Sequence, residues 1–249
     1  MKRDENDEVV SVNGEPILLD QTLPIDEATP ASVAEWRKSF SIFTETFVGV
    51  STGVFTTDTC RVSECAIGNL ITDAMLDARR AAGVQIAFTN VGGIRAGLPA
   101  GNITVADILT ILPFGNTLVD LTFTGEKIVE MLESAAQGTS ITSGKPVISN
   151  SVWAGLKFTE TNSQPAGDRI SDVQVYNSET SEWEDIVLTD AYLTVTNDFV
   201  AAGGDNIIQP PAASFVTTDV MADALQHYIQ TLRTFGPELD GRWRQEVQP

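Results

Sequence analysis

The chain has 249 residues, 42% of them hydrophobic, with 34 acidic against 15 basic side chains and a net charge of −19. That length buries one large core or two smaller ones, and that charge argues against nucleic acid or anionic lipid as partner, since both are polyanions. No apolar run approaches the roughly 18 residues of a membrane span, so no membrane contact by this chain is expected.

Residues 1–30 are polar and broken by proline, with one extended apolar piece, Pro16-Ile-Leu-Leu19. They read as a loop or a strand belonging to a neighbouring unit. The opening stretch lacks the apolar core of a signal peptide, and the chain reads as a piece of something longer. Thr29-Pro30 marks a helix start, because proline is tolerated at the first helical position. Val33, Trp36 and Phe40 follow at helical spacing, as expected of a linker helix. The division expected is a tail over 1–30, a linker helix over 31–45 and the main domain over 46–249.

Phe47 to Phe55 alternates as a strand. Glu64 to Arg80 predicts an amphipathic helix, with Ile67, Leu70, Ile71, Ala74, Met75 and Ala78 on one stripe and Gly83 as its stop. Val84 to Thr89 is a buried strand. Thr104-Val-Ala-Asp107 opens a short helix with a capping box in which Asp replaces Glu, and Pro113 ends it. Leu118 to Phe123 predicts a strand, and Glu126 to Ala136 a second amphipathic helix. Trp153 to Thr159, Ile170 to Tyr176, Ile186 to Thr189 and Tyr192 to Thr196 predict strands, with Asn177 to Glu184 as a hairpin tip. A last helix covers about Asp219 to Leu232. Helices mixed with antiparallel hairpins predict an α+β fold, a mixed β-sheet with helices packed on it.

Candidate binding groups fall in loops. After the buried strand comes Asn90-Val-Gly-Gly-Ile-Arg95. Gly92 and Gly93 let a ligand approach the backbone. Asn90 offers an amide, and Arg95 a planar fork of donors suited to phosphate or ribose hydroxyls. Phe114 in Leu-Pro-Phe-Gly-Asn and Phe199 in Asn-Asp-Phe are aromatic residues in loops that also carry glycine. An exposed ring is costly unless it covers something, and two such rings suit the faces of a flat base. Asp205 is placed to accept from ribose hydroxyls. Cys60 and Cys65, five positions apart, fit neither the usual zinc spacing nor a CxxC redox motif. They read as a local disulfide or as two buried free thiols. The single histidine, His227, falls short of the several ligands that a zinc or di-metal hydrolase site usually needs, so the chain is expected to lack the parts for hydrolytic chemistry of its own.

Five blocks, in order, resemble the C-terminal substrate-binding domain of the 5'-nucleotidase family. They are Cys60-Arg-Val-Ser-Glu-Cys65 with the helix after it, Asn90 to Arg95, Leu112 to Asn116, Thr196 to Asp205, and Asp240-Gly-Arg242. The resemblance covers about residues 40 to 242 and implies a 5'-nucleotidase C-terminal-domain-like fold. It implies that Phe114 and Phe199 clamp a nucleobase and that Asn90 bonds it. Arg61 and Arg95 would hold phosphate and ribose oxygens, Asp205 the ribose hydroxyls, and a Cys60–Cys65 bridge would present Arg61. Val91 stands where the family often has glycine or another small residue.

The resemblance further implies an extracellular, cell-surface or periplasmic parent that removes phosphate from nucleoside monophosphates. Its two divalent metal ions, zinc expected, would lie in an N-terminal metallophosphoesterase domain outside this chain. No cofactor or metal is expected here, and this chain alone is expected to be inactive. The alternative is a stand-alone nucleoside- or nucleotide-binding module without catalysis.

Overall fold

A computed structural model describes residues 1–18, 23, 26, 28–147 and 150–246. The chain divides into two units, Met1–Ile42 and Phe43–Pro249. In the first, β1 (Lys2–Arg3) and β2 (Val9–Ser11) pair antiparallel. Pro16 to Leu18 carry no regular structure, and Leu19 lies outside the described residues. Helix α1 (Ala28–Thr44) begins before Pro30, ahead of the linker helix expected over 31–45, and ends within one residue of that span. The Asp26 carboxylate accepts the Thr29 N–H at 3.2 Å, which satisfies one of the donors a helix start leaves unpaired.

The second unit continues with β3 (Phe47–Ser51), α2 (Ala66–Arg79), β4 (Ile86–Asn90), β5 (Gly101–Thr104), α3 (Val105–Ile111), β6 (Thr117–Thr124) and α4 (Gly125–Gln137). Then come β7 (Ser151–Ala154), β8 (Leu156–Glu160), β9 (Ile170–Asn177), β10 (Glu182–Asp185), β11 (Ala191–Asn197) and α5 (Asp198–Ala201). The last elements are β12 (Thr217–Val220), α6 (Met221–Leu232), β13 (Thr234–Phe235) and β14 (Trp243–Gln245). The central sheet has the order β12-β6-β11-β4-β7. It is mixed: β4 and β11 are parallel and the other neighbours antiparallel. A second sheet runs β10-β9-β8-β14, a third β13-β3-β5. The fold is α+β with helices on a mixed sheet.

Strand β4 separates two core layers, which is why all five of its residues are buried and Ile86, Ala87 and Phe88 run apolar on both faces. Ala87 belongs to the layer under α2, while Ile86 and Phe88 belong to the layer under α4. On the first side Ile67, Leu70, Ile71, Ala74 and Met75 of α2 are buried. Ala78 is exposed, because the predicted stripe rotates off the sheet before the helix ends. On the second side Phe88 stacks on Trp153 at 4.6 Å between ring centroids, beside Ile128, Met131 and Leu132 of α4. Each such fully buried side chain contributes about 1.5–3 kcal/mol. The Thr104 N–H donates to the Asp107 carboxylate at 2.8 Å, the backbone half of the expected capping box.

Two expected strands differ. Trp153 to Thr159 is not one strand but two, β7 in the central sheet and β8 in the second. Gly155 turns the chain between them with φ of 71°, and a Cβ there would collide with the Gln85 carbonyl oxygen. Ile186 to Thr189 is not a strand either. Its turn accepts helix donors instead: Glu126 N–H reaches the Leu188 carbonyl at 2.9 Å, and Gly125 N–H that of Asp190 at 3.0 Å. The strand lies earlier, at Glu182–Asp185, overlapping the expected hairpin tip, with Glu182 opposite Asn177. Trp183 explains that placement, since its ring meets Tyr176 at 5.3 Å and the Lys157 ammonium at 4.2 Å.

The sheet topology fixes where loops converge. Parallel β4 and β11 end at Asn90 and Asn197, and antiparallel β6 begins beside them, with Leu118 opposite Asn197. The segments 90–95, 112–116 and 197–205 therefore leave one end of the sheet. The carboxyl ends of parallel strands are where open α/β sheets place ligand crevices.

Candidate functional site

Between those three segments lies an open cleft of about 330 Å³, lined by Asn90, Gly92, Gly93, Arg95, Phe114, Asn116, Phe199 and Asp205. Its size is at the low end of ligand pockets, which start near about 300 Å³. Seven of the eight binding residues expected from sequence border it. Arg61 does not; it is exposed on the loop closed by Cys60 and Cys65.

The floor is a chain of side-chain amides. Asn90, the last residue of β4, is 4% exposed. Its Nδ2 donates to Asp205 Oδ2 at 2.8 Å, and its Oδ1 accepts from Asn197 Nδ2 at 3.0 Å. Asn197 also donates to Thr89 Oγ1 at 2.8 Å, and its own Oδ1 accepts the Val200 N–H at 2.8 Å, capping α5. Each amide is thus held in one orientation by its partners, and the Asp205 carboxylate is fixed at the cleft wall. Asp205 and Asn206 both take positive φ, 55° and 58°. Non-glycine residues held there cost about 1–3 kcal/mol each and cluster at ligand sites.

Gly93 has a packing reason. A Cβ on it would stand 3.1 Å from Asn90 Oδ1 and press on the amide that orients Asp205. The Arg95 backbone N–H donates to the Ile111 carbonyl at 2.9 Å, which ties its loop to the end of α3. Its Nη1 donates to the Gly92 carbonyl at 3.0 Å, and its guanidinium carbon lies 5.8 Å from the Phe114 ring centroid. The guanidinium is therefore held at the cleft mouth by weak contacts on an exposed side chain.

Both rings are open to solvent rather than part of the core: Phe114 is 61% and Phe199 45% exposed. Phe199 rests on glycine backbone, since a Cβ on Gly204 would stand 2.5 Å from its Cδ1 and Cζ. Exposed rings lining one cleft, beside a cation and a carboxylate, can cover a flat heterocycle with polar groups attached.

Cys60 and Cys65 form a disulfide, and both sulfurs belong to the buried core. The loop it closes is tied to the cleft segment through Asn150. Asn150 Nδ2 donates to the Arg61 carbonyl at 3.3 Å, and its own carbonyl accepts the Val91 N–H at 2.9 Å. The neighbouring Glu64 carboxylate accepts from Asn69 Nδ2 at 2.8 Å and from the Asp240 and Gly241 N–H groups at 3.0 and 3.1 Å. Arg242 then bridges Asp73 and Asp240, at 2.8 Å to each. Burial pushes the Asp73 carboxyl up, against the pull of Arg242. Burial also opposes ionisation of Asp240, but donation by Arg242 prevails and holds its carboxyl below the ordinary value. This network fastens the C-terminal strand to the domain, so the Asp240-Gly-Arg242 block is architecture.

Three residues without an assigned role in the sequence reading shape the cleft. Asn116 lines it, Asn197 orients Asn90, and Gly204 seats Phe199. Their signal was proximity to the two rings. Among the described residues no three His, Cys, Asp or Glu side chains gather where they could hold a metal ion. No described helix is long and apolar enough to cross a membrane.

Residues 47–211 match the family model for the 5'-nucleotidase, C-terminal domain. The chain is 40% identical over 147 residues to the trifunctional nucleotide phosphoesterase protein YfkN of Bacillus subtilis, covering 58% of this chain and 10% of that protein. It is 26% identical over 256 residues to the 5'-nucleotidase of Homo sapiens, covering 96% and 44%. Among solved structures it is similar to the 5'-nucleotidase precursor from Thermus thermophilus, with a TM-score of 0.76 at 30% identity over 100% of this chain and 49% of that one. The chain therefore spans from a tenth to about half the length of these relatives.

Proposed function

The chain belongs to the 5'-nucleotidase C-terminal domain family, and on that footing we propose that it is the nucleotide-binding part of a phosphohydrolase acting on nucleoside monophosphates. The observation that carries this reading is the pair of half-exposed rings, Phe114 and Phe199, lining one cleft with Arg95 and Asp205. In it the rings cover the two faces of the base. The amide of Asn90 meets the base edge or steadies Asp205, whose carboxylate accepts the ribose hydroxyls. Gly92 and Gly93 let the nucleotide lie against the backbone. Arg95 holds phosphate or ribose oxygens, and Arg61 reaches the phosphate from outside the cleft.

Phosphate release belongs to a metallophosphoesterase domain outside this chain, which holds two divalent metal ions, zinc by preference. A bound metal pair supplies an activated water and stabilises charge on the phosphoryl group. This chain binds and presents the nucleotide. The disulfide and similarity to a snake venom 5'-nucleotidase of Naja atra support an extracellular or periplasmic setting.

Calorimetric titration of the 249-residue chain with AMP tests the reading. Weak binding without phosphate release in the presence of zinc is expected. Robust metal-dependent phosphate release by the pure chain, or no AMP binding at all, overturns it.

A further inference from the structure

We propose that Asp198 is a positioning residue that sets the base-binding rings by tying their two loops together; this rests on the nucleotide-binding reading. One oxygen of its carboxylate, Oδ1, accepts three donors: Asn116 Nδ2 at 2.7 Å, the Phe199 N–H at 2.9 Å and the Thr117 N–H at 3.3 Å. Two of these donors lie 82 and 81 residues away in sequence, in the segment that carries Phe114. The third is the backbone of Phe199 itself. A single acceptor therefore joins the backbone beneath one ring to the side chain two residues beyond the other.

The rings need such a device. Both are largely exposed, so core packing does not fix their spacing. Phe114 is followed by Gly115 at φ of 65°, a hinge that no side chain stiffens. The segment is also held where the Asn116 carbonyl accepts the Met221 N–H at 2.9 Å. That second anchor keeps the backbone in place if the carboxylate is removed, so its loss frees the Asn116 amide and the ring loop rather than the fold. A carboxylate only accepts, so Asn116 must turn its nitrogen to Asp198. The amide carbonyl is then the end available to a ligand in the cleft.

The experiment compares Asp198→Ala, Asp198→Asn and the unaltered chain by titration with AMP and with ribose 5-phosphate, a ligand without a base. Asp198→Ala should lose about tenfold in AMP affinity, the scale of one or two lost hydrogen bonds, with ribose 5-phosphate affinity unchanged. Asp198→Asn keeps an acceptor oxygen and should retain most AMP affinity. The thermal midpoint reports whether each variant is folded; if Asp198→Ala is not, the Asn variant decides, because it must then bind AMP like the unaltered chain. AMP affinity unchanged in Asp198→Ala, an equal loss for both ligands, or no rescue by asparagine overturns the proposal while leaving nucleotide binding standing. An unaltered chain that binds no AMP sinks the nucleotide-binding reading itself, and this inference with it.

Discussion

Gly204→Ala is a probe of ring placement that leaves the ring's chemistry intact. The added Cβ would stand 2.5 Å from Phe199 Cδ1 and Cζ, well inside van der Waals contact. Something has to move. The backbone at Gly204 follows Gly203 in a short helical turn and is not in the left-handed region, so alanine is conformationally acceptable there. Phe199 is 45% exposed and has room to swing outward. The clash should therefore be relieved by the ring, with a small effect on stability and a large one on the cleft. One stacking face contributes about 1–3 kcal/mol, which corresponds to about a 5- to 150-fold loss in affinity. Titration of AMP into Gly204→Ala, Phe199→Ala and the double variant measures it. The double variant should bind no worse than Phe199→Ala, because once the ring is gone the methyl has nothing to displace. Wild-type affinity in Gly204→Ala, or fully additive losses in the double variant, would refute the claim that Gly204 seats a stacking ring.

Replacing Cys60 and Cys65 together by serine should lower unfolding free energy by about 2 kcal/mol, the loop-entropy value for so short a closure, read from denaturant midpoints. Arg242→Ala should cost about 1–3 kcal/mol, less than the loss of a fully buried pair because Asp240 is half exposed; an unchanged denaturant midpoint would show that the bridge does not fasten the strand. Asp240 titrates below its ordinary 3.8 in the folded chain. Its contribution to stability is thus complete above that value and lost as pH falls through the lower folded one. Asp73, raised by burial, works in the opposite sense. Thermal midpoints of Asp240→Asn should fall less steeply below about pH 4 than those of the unaltered chain, and parallel curves would contradict the assignment.

The parts of the fold legible in the sequence were those with one dominant local signal. The stripe of α2 and the apolar centre of β4 announce burial on one face and on two, and both elements lie within two residues of the expected spans, although Ala78 leaves the stripe. The split at Gly155 was not legible, because nothing local distinguishes a glycine inside a strand from one that passes the chain between sheets. The difference depends on the Gln85 carbonyl, 70 positions earlier in the chain. Strand β10 was hidden for a related reason. Glu182, Glu184 and Asp185 look like a solvated tip, and only the contacts of Trp183 with Tyr176 and Lys157 make the segment a paired edge.

The cleft divides the same way. Phe114, Phe199, Arg95 and the paired glycines stood out because each is expensive or unusual in a loop. Asn116, Asn197 and Asp198 are ordinary loop residues, and their importance lies in bonds to partners 82, 107 and 81 positions away. Sequence thus reveals the groups placed to touch a ligand more readily than those that hold them in register. Arg61 marks the converse limit. Its block was recognisable, yet the structure leaves its side chain outside the cleft and uses the block's Glu64 to fasten the C-terminal strand. A ligand that reaches Arg61 must therefore extend beyond the ring pair, as the phosphate end of a nucleotide does when its base lies between Phe114 and Phe199. Arg61→Ala should then weaken AMP binding and leave adenosine binding unchanged, and an equal effect on both would remove Arg61 from the site.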